Sequence, residues 1–388
     1  MRVLIHTHNY FPTLGGVATY CRNLAMGLAE AGDDVCLLAP CAGAVPRGLA
    51  FRMRSLPMRL AHDRIRPWHY PEAARALRRS IREERPDVIL AAQLTAVYLA
   101  ALVGGGQAAR VVTIHGSEIT NNFTARHPAA RLNRAVIRAA LLRADAVIAV
   151  SGYTRRLLLS RVPEVDAGRI AVVHHGIRPP ELAVPIIRPA EFTEPAGPWL
   201  LSVGRIVENK GFHLVPPILA RLARRLPGVG WAIAGEGPLE HAVREAAARA
   251  GVAERVRFLG WVPPERMPAY YAAADLLLHP AIPDAAGREE SFGLILIEAM
   301  AQGCPVAATR VGGVPEVVLD GETGLFFNPR HPDEAAAALA ELLSDPGRRR
   351  SMGERARARS QSAFSLVRMV RETRAVLHAA RERRCGRR

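Results

Sequence analysis

The chain has 388 residues, 49% of them hydrophobic and 23% charged, with a formal net charge of +16. That is ordinary globular composition, long enough for two domains and rich enough in core material to need no metal or disulfide staple. The positive excess, almost all arginine, implies an anionic partner: nucleic acid, lipid headgroups or phosphorylated small molecules. Five cysteines, an odd number with no CxxC pair, read as reduced thiols of a cytosolic protein. "MRVLIHTHNYF" does not form a signal peptide, since His6 and His8 interrupt its apolar run. "LTAVYLAALV", the longest apolar segment, is short of the ~20 residues that span a bilayer.

In chain order, "RVLIHTHNY" reads as a strand leading to a helix at "GGVATYCRNLAMGLAEAG". "DVILAAQ" then leads to "TAVYLAAL", and "RVVTIHG" and "ADAVIAVS" follow as further strands. Two stretches depart from this alternation. Residues 44 to 70 carry Arg47, Arg52, Arg54, Arg59, Arg64 and Arg66 among Met, Leu, Phe and Trp68. Residues 129 to 143 set Arg131, Arg134 and Arg138 on one helical face and Leu132, Val136, Ala139 and Leu142 on another. Both have the composition of basic amphipathic surfaces that bind a membrane interface, or of ordinary surface helices packed on a sheet.

"IRPPELAVPIIRPAEFTEPAGP" holds six prolines and reads as extended linker, placing a boundary near residue 186. After it the alternation restarts with "PWLLSVGRI", "WAIAGEG", "RVRFLGWV", "ADLLLHPA" and "CPVAATRVGG". Apolar strands alternating with helices predict α/β architecture with parallel sheets covered on both faces. Two such domains are expected to bind a ligand outside the carboxyl ends of their strands.

Four glycine-bearing stretches carry the chemistry. In "TLGGVATY", Gly15 and Gly16 open a helix, as an anion site or simply a tight turn. "GEGPLE" imitates a dinucleotide fingerprint but lacks its third glycine. In "SVGRIVENKGF", Arg205 and Lys210 follow a strand, either as solvated loop cations or as the charges that hold a pyrophosphate. The chain has no paired-carboxylate DxD that would hold a metal there. "REESFGLILIEAM" places Glu290 before a helix start and Glu298 more than a turn inside it. A core helix with an acid at each end fits this spacing. So does a site where the amides of Phe292, Gly293 and Leu294 meet a phosphate and each acid meets a hydroxyl group.

In order, "GGVATY", "HGSE", "VSGYTRR", "GRIVENKG", "FLGWVPPERMPAYYAAADLLLHP" and "ESFGLILIEAMAQGCPVAATRVGGVPEVVLDGETGLFFNP" resemble the retaining glycosyltransferases of family 4. Bacterial lipid and polysaccharide enzymes such as the phosphatidylinositol mannosyltransferases are among these. The likeness runs to about residue 345, and the ordered set is far more specific than any one motif. It implies a GT-B fold: two Rossmann-like doubly wound domains with the active site in the cleft between them. The expected division is 1–186 for acceptor binding and 187–362 for the nucleotide sugar, with a helix in 363–388 returning to the first domain.

The resemblance also implies roles. Glu298 would bind the nucleotide ribose and Glu290 a hydroxyl of the donor sugar. Arg205 and Lys210 would hold the diphosphate with Gly16 and the amides of Phe292, Gly293 and Leu294. His115 would face the donor sugar, and Val262 would meet the base through its backbone. No cofactor or metal is expected, and a front-face mechanism would let the leaving phosphate take the acceptor's proton. The chain departs from the family at "HHGIRP", where Asn-Gly is common, so the acceptor side is not carried over.

The expected activity is therefore transfer of a sugar from a nucleoside-diphosphate sugar to a lipid-linked or glycan acceptor in cell-envelope glycan biosynthesis. Its expected place is cytoplasmic, peripheral on the inner face of an anionic membrane. The alternatives are another GT-B chemistry, such as a nucleotide-sugar 2-epimerase, and a basic nucleic-acid-binding protein. Against the last, aromatic content is only 5% and no zinc-finger spacing or stacking run is present, so no nucleic-acid partner is expected.

Overall fold

The structure is a computed structural model. It describes every residue except 9–14, 42–47, 58–59, 62–63, 66–69, 98–102, 104–105, 125–127, 179–188, 193–195 and 387–388. The chain forms two compact units, Met1–Gly176 with Leu366–Arg388, and Ile177–Ser365.

The first unit is built on β1 (Arg2–His6), β2 (Asp34–Ala39), β3 (Arg52–Ser55), β6 (Val88–Ala91), β7 (Ala109–Ile114), β8 (Ala146–Ala149) and β9 (Ile170–Val172). They lie parallel in the order β3-β2-β1-β6-β7-β8-β9, with Val3 opposite Val35 on one side and Val88 on the other. A separate antiparallel hairpin joins β4 (Leu60–Ala61) and β5 (Arg64–Ile65). Both sheet faces are buried: Val3 and Ile5 enter one core cluster while Leu4, between them, enters another. This is why the strands read as unbroken apolar runs rather than alternating ones.

The last helix, Leu366–Gly386, supplies Leu366, Met369, Val370 and Leu377 to that first core. It lies so close to the helix Gly16–Glu30 that a Cβ at Gly27 would come within 2.4 Å of Val370 Cγ2. Polar contacts fix the register: Arg368 donates to His174 O at 2.8 Å, and Arg374 lies 2.9 Å from buried Asp33. Asp33 also takes the Met1 ammonium at 3.3 Å.

In the second unit β10 (Trp199–Val203), β11 (Gly230–Ala234), β12 (Val256–Gly260), β13 (Leu276–His279), β14 (Val306–Ala308) and β15 (Gly324–Phe326) form a six-stranded parallel sheet. Its order, β12-β11-β10-β13-β14-β15, is that of a dinucleotide-type doubly wound sheet. The order reverses between β10 and β13, and ligands of such sheets collect at that switch point. The helix Pro346–Ala363 belongs to this unit and packs on the helix Leu294–Ala301, with Ser360 Oγ donating to Ile297 O at 3.1 Å.

Several expectations change. The boundary at 186 and the helix expected at "TAVYLAAL" fall largely outside the described residues. The compact units divide instead at 176/177 and 365/366, because Ile177 N donates to Phe364 O at 2.9 Å and Ile177 bridges Ser365. The described part of residues 44 to 70 is not an amphipathic helix. Arg52 and Arg54 sit on edge strand β3, where Asp34, Glu83 and Glu84 pair with them. Their charge is thus partly neutralised within the fold. Residues 129 to 143 do lie on a helix, Pro128–Arg143, but Ile137 and Leu141 turn inward while Leu132 is left 68% exposed beside Arg131.

Candidate functional site

In the second unit, the loop after β10 and the segment before the helix Leu294–Ala301 meet at the switch point. Lys210 ends a single 3-10 turn, Glu208–Lys210, stopped by Gly211 in the left-handed conformation at φ 68°. A Cβ at Gly211 would come within 1.9 Å of Pro280 O, so only glycine allows the turn to lie against the end of β13. Ile282 N donates to Asn209 O at 3.0 Å and completes the junction. Lys210 Nζ is thereby brought 2.5 Å from Glu290 Oε2. It is the only lysine in the sequence. Arg205 is exposed in the same loop.

Glu290 is fixed from both sides. Upstream, buried Asp284 accepts from Ala286 N at 3.0 Å and Arg288 N at 2.8 Å and pairs with the Arg288 side chain. Downstream, Gly313 N donates to Glu290 O at 2.9 Å and Gly312 N to Glu289 Oε2 at 2.7 Å. Burial alone would raise the Glu290 carboxyl. The Lys210 charge, with His279 adding to it, overcomes burial and holds the group well below the usual carboxylate range. His279, fully buried at the end of β13, lies 3.4 Å from the same oxygen, beyond the usual length of a charge-assisted hydrogen bond.

The helix Leu294–Ala301 starts where the sequence placed it, capped by Gly293 at φ 89°. Phe292 is buried edge-on against Phe364, so only its main chain is available to a ligand. Glu298, half-buried on the helix, accepts from Tyr271 Oη at 2.8 Å. Burial raises its carboxyl, with the Tyr271 bond opposing. Val262, half-buried, follows β12 and an exposed Trp261 whose amide donates to Glu236 Oε1 at 3.2 Å. The "GEGP" glycines serve close packing rather than a dinucleotide: a Cβ at Gly235 would come within 2.0 Å of Gly204 O, and one at Gly237 within 2.4 Å of Ile206 O. They hold the loop that carries Arg205 and Lys210.

In the first unit, Gly16 opens the helix Gly16–Glu30 at an exposed N-terminus with no side-chain cap. His115, just past β7, is half-buried and donates through Nε2 to Ala92 O at 2.9 Å, at the β1/β6 switch point. Burial lowers its pKa to about 4, the Ala92 bond opposing, so the ring is neutral at neutral pH. Sequence reasoning missed its supports. Glu118, the last residue of "HGSE", accepts from His115 N at 3.0 Å and Leu94 N at 2.9 Å, and burial raises its carboxyl to about 7. His175 stacks on His115 with centroids 5.5 Å apart, and Tyr20 stands edge-on to both rings. The "HHG" that departs from the family pattern thus places a histidine against His115. Among the described residues, no three His, Cys, Asp or Glu side chains converge to hold a metal ion.

Residues 14–180 match the family described as "Glycosyltransferase Family 4", and residues 185–359 that described as "Glycosyl transferases group 1". The chain belongs to the family 4 glycosyltransferases. A GDP-mannose-dependent alpha-(1-6)-phosphatidylinositol monomannoside mannosyltransferase of Mycolicibacterium smegmatis is 36% identical over 54% of this chain and 56% of the relative. In that match, and in those to the enzymes of the same name from Mycobacterium tuberculosis, the chain spans about half the length of the relative. The glycogen synthase of Mycobacterium tuberculosis is 28% identical over 98% of this chain and 95% of its own. Among solved structures, sucrose-phosphate synthase from Thermosynechococcus elongatus superposes with a TM-score of 0.79 at 22% identity, covering 97% of this glycosyltransferase and 98% of the other chain. The fold is GT-B.

Proposed function

We propose that this glycosyltransferase moves a sugar from a nucleoside-diphosphate sugar to a hydroxyl of a lipid-linked or glycan acceptor. One observation carries the reading: Lys210 and Glu290 in contact at the switch point, directly before the helix that opens at Gly293. In the proposed complex Arg205 and Lys210 neutralise the diphosphate, with the amides of Phe292, Gly293 and Leu294 at the same group. Glu290 accepts from a sugar hydroxyl, Glu298 from the ribose, and the Val262 main chain meets the base. His115 and Gly16 act in the same reaction. His115, being neutral, orients and polarises rather than carrying charge.

The proposed chemistry retains anomeric configuration without a resident metal. The diphosphate leaves from the face the acceptor enters and takes its proton, so no protein nucleophile is required. The mannosyltransferase relatives favour a lipid acceptor, and the exposed Arg131 and Leu132 pair favours docking of the Pro128–Arg143 helix on an anionic bilayer.

Melting of the full chain with UDP, GDP, ADP and NAD in turn, in EDTA, tests the donor site. A ligand at about 100 times its Kd stabilises by about 2.7 kcal/mol. One nucleoside diphosphate is expected to shift the melt and NAD is not; no shift with any of them overturns the reading. The product's anomeric configuration tests retention. Flotation with anionic but not neutral vesicles, lost in high salt, tests docking.

A further inference from the structure

His279 is used by none of the roles above. It is fully buried, and neither ring nitrogen has a hydrogen-bond partner among the described residues. A neutral imidazole must carry one N–H, and leaving that donor unpaired in an interior is costly; an aliphatic side chain would avoid the cost. The ring nevertheless stands beside one carboxylate, its Nε2 3.4 Å from Glu290 Oε2. That oxygen is already taken by Lys210 at 2.5 Å.

If Lys210 also serves the diphosphate, the donor draws its ammonium away from Glu290. A half-buried carboxylate would then lose its main partner when it must hold a sugar hydroxyl. We propose that His279 is a positioning residue for Glu290. Its Nε2–H closes onto Oε2 as Lys210 turns to the diphosphate, keeping Glu290 ionised and leaving the other carboxylate oxygen for the sugar. A shift of about half an ångström reaches the usual charge-assisted N–H···O length. This rests on the donor-site reading and adds a hand-over between two donors to it.

The test compares Kd values, by calorimetry on the full chain, for the nucleoside diphosphate that shifts the melt and for sugar nucleotides with that base. The affinity gained from the sugar is the readout. His279→Leu is expected to reduce that gain about tenfold while diphosphate affinity stays unchanged. His279→Gln, whose amide reaches the same oxygen, is expected to restore it. In a Glu290→Gln background, His279→Leu is expected to change nothing further, as a residue acting through Glu290 requires.

Should the leucine variant fail to fold, His279→Asn, one methylene too short to reach, makes the same comparison against glutamine. A leucine variant with the wild-type gain overturns the proposal. So does a loss that persists in the Glu290→Gln background, or a folded glutamine variant no better than leucine. A wild-type chain that binds no nucleotide overturns the donor-site reading itself, and this proposal with it.

Discussion

Lys210 Nζ stands 2.5 Å from Glu290 Oε2, and Lys210 is the only lysine in a chain whose other basic side chains are arginine. Arginine offers a planar fork; lysine offers a compact charge on a flexible stem. Lys210 runs alongside the Gly204 loop, where a Cβ at Gly204 would lie 3.5 Å from Lys210 Cε, and its compact charge meets a single carboxylate oxygen. Lys210→Arg is expected to behave like Lys210→Ala in activity, each lowering donor turnover by orders of magnitude in a chain that still folds, the alanine variant with a lower melting temperature because Glu290 loses its partner. Near-normal turnover in the arginine variant would contradict a fitted ammonium.

The single lysine also permits a direct probe. Amine-directed methylation has two targets on this chain, the Met1 amine and Lys210. With the correct nucleoside diphosphate bound, Lys210 is expected to be protected and Met1, paired with Asp33, to label as before. Peptide mass spectrometry reads both. Equal labelling of Lys210 with and without nucleotide would remove it from the diphosphate site.

The segment that carries Glu290 depends on a backbone contact no side chain allows. Gly312 has φ 54°, and a Cβ there would come within 2.0 Å of Glu290 O. Gly312→Ala meets both the left-handed penalty, about 1–2 kcal/mol, and a clash with main chain that cannot rotate away. We expect a loss of at least about 2 kcal/mol in urea unfolding, with weaker donor binding. An alanine variant as stable as wild type would show that the Glu289–Glu290 main chain yields freely.

The two sheets and the helix at Gly293 were legible because runs such as "RVLIH" and "WLLSV" cannot be solvated on either face. The candidate donor residues stand out in the sequence because Arg205 and Lys210 follow a strand end, Glu290 precedes a helix and Glu298 lies inside it, in a motif order. The supports do not. Tyr271 on Glu298 and His279 beside Glu290 are joined by tertiary contacts 27 and 11 positions apart in sequence, and Glu118, though only three positions from His115, shows its role only once its carboxylate is seen accepting from His115 N and Leu94 N. Within residues 44 to 70, Arg52 and Arg54 read as part of a basic surface because an edge strand whose arginines pair with acids on a neighbouring helix has the same composition; Arg47, Arg59, Arg66 and Trp68 lie outside the described residues.

Glu298, half-buried, and buried Tyr271 form a pair in which the phenol donates at 2.8 Å. Tyr271→Phe leaves the carboxylate without that donor, and Glu298→Ala removes the acceptor offered to a ribose. Both are expected to weaken nucleoside diphosphate binding, alanine about tenfold or more and phenylalanine less, since a hydrogen bond to a charged group is worth about 1.5–3 kcal/mol. Unchanged nucleotide affinity in Glu298→Ala, read by calorimetry, would contradict the ribose role.

Acid is expected to destabilise the first unit in a defined window. Burial lowers His6 and His115 from 6.5 to about 4, and burial with the neighbouring His6 lowers His8 to about 3. Below pH 6.5 the unfolded chain binds protons at these three positions and the native unit does not. Their contribution to stability is thus whole above 6.5 and is lost as pH falls toward 4 for His6 and His115 and toward 3 for His8. Glu118 acts in the opposite sense: raised from 4.5 to about 7, it holds a proton in the native state that the unfolded chain releases, so it favours the fold at lower pH. Three histidines against one carboxyl leave a net uptake of about two protons on unfolding near pH 5.5, a slope of up to about 3 kcal/mol per pH unit. Calorimetric unfolding at that pH in buffers of different ionisation enthalpy measures the uptake directly. His213 and His279 add to this uptake and Glu298 opposes it, so a net release of protons would contradict the buried, neutral state of His6, His8 and His115.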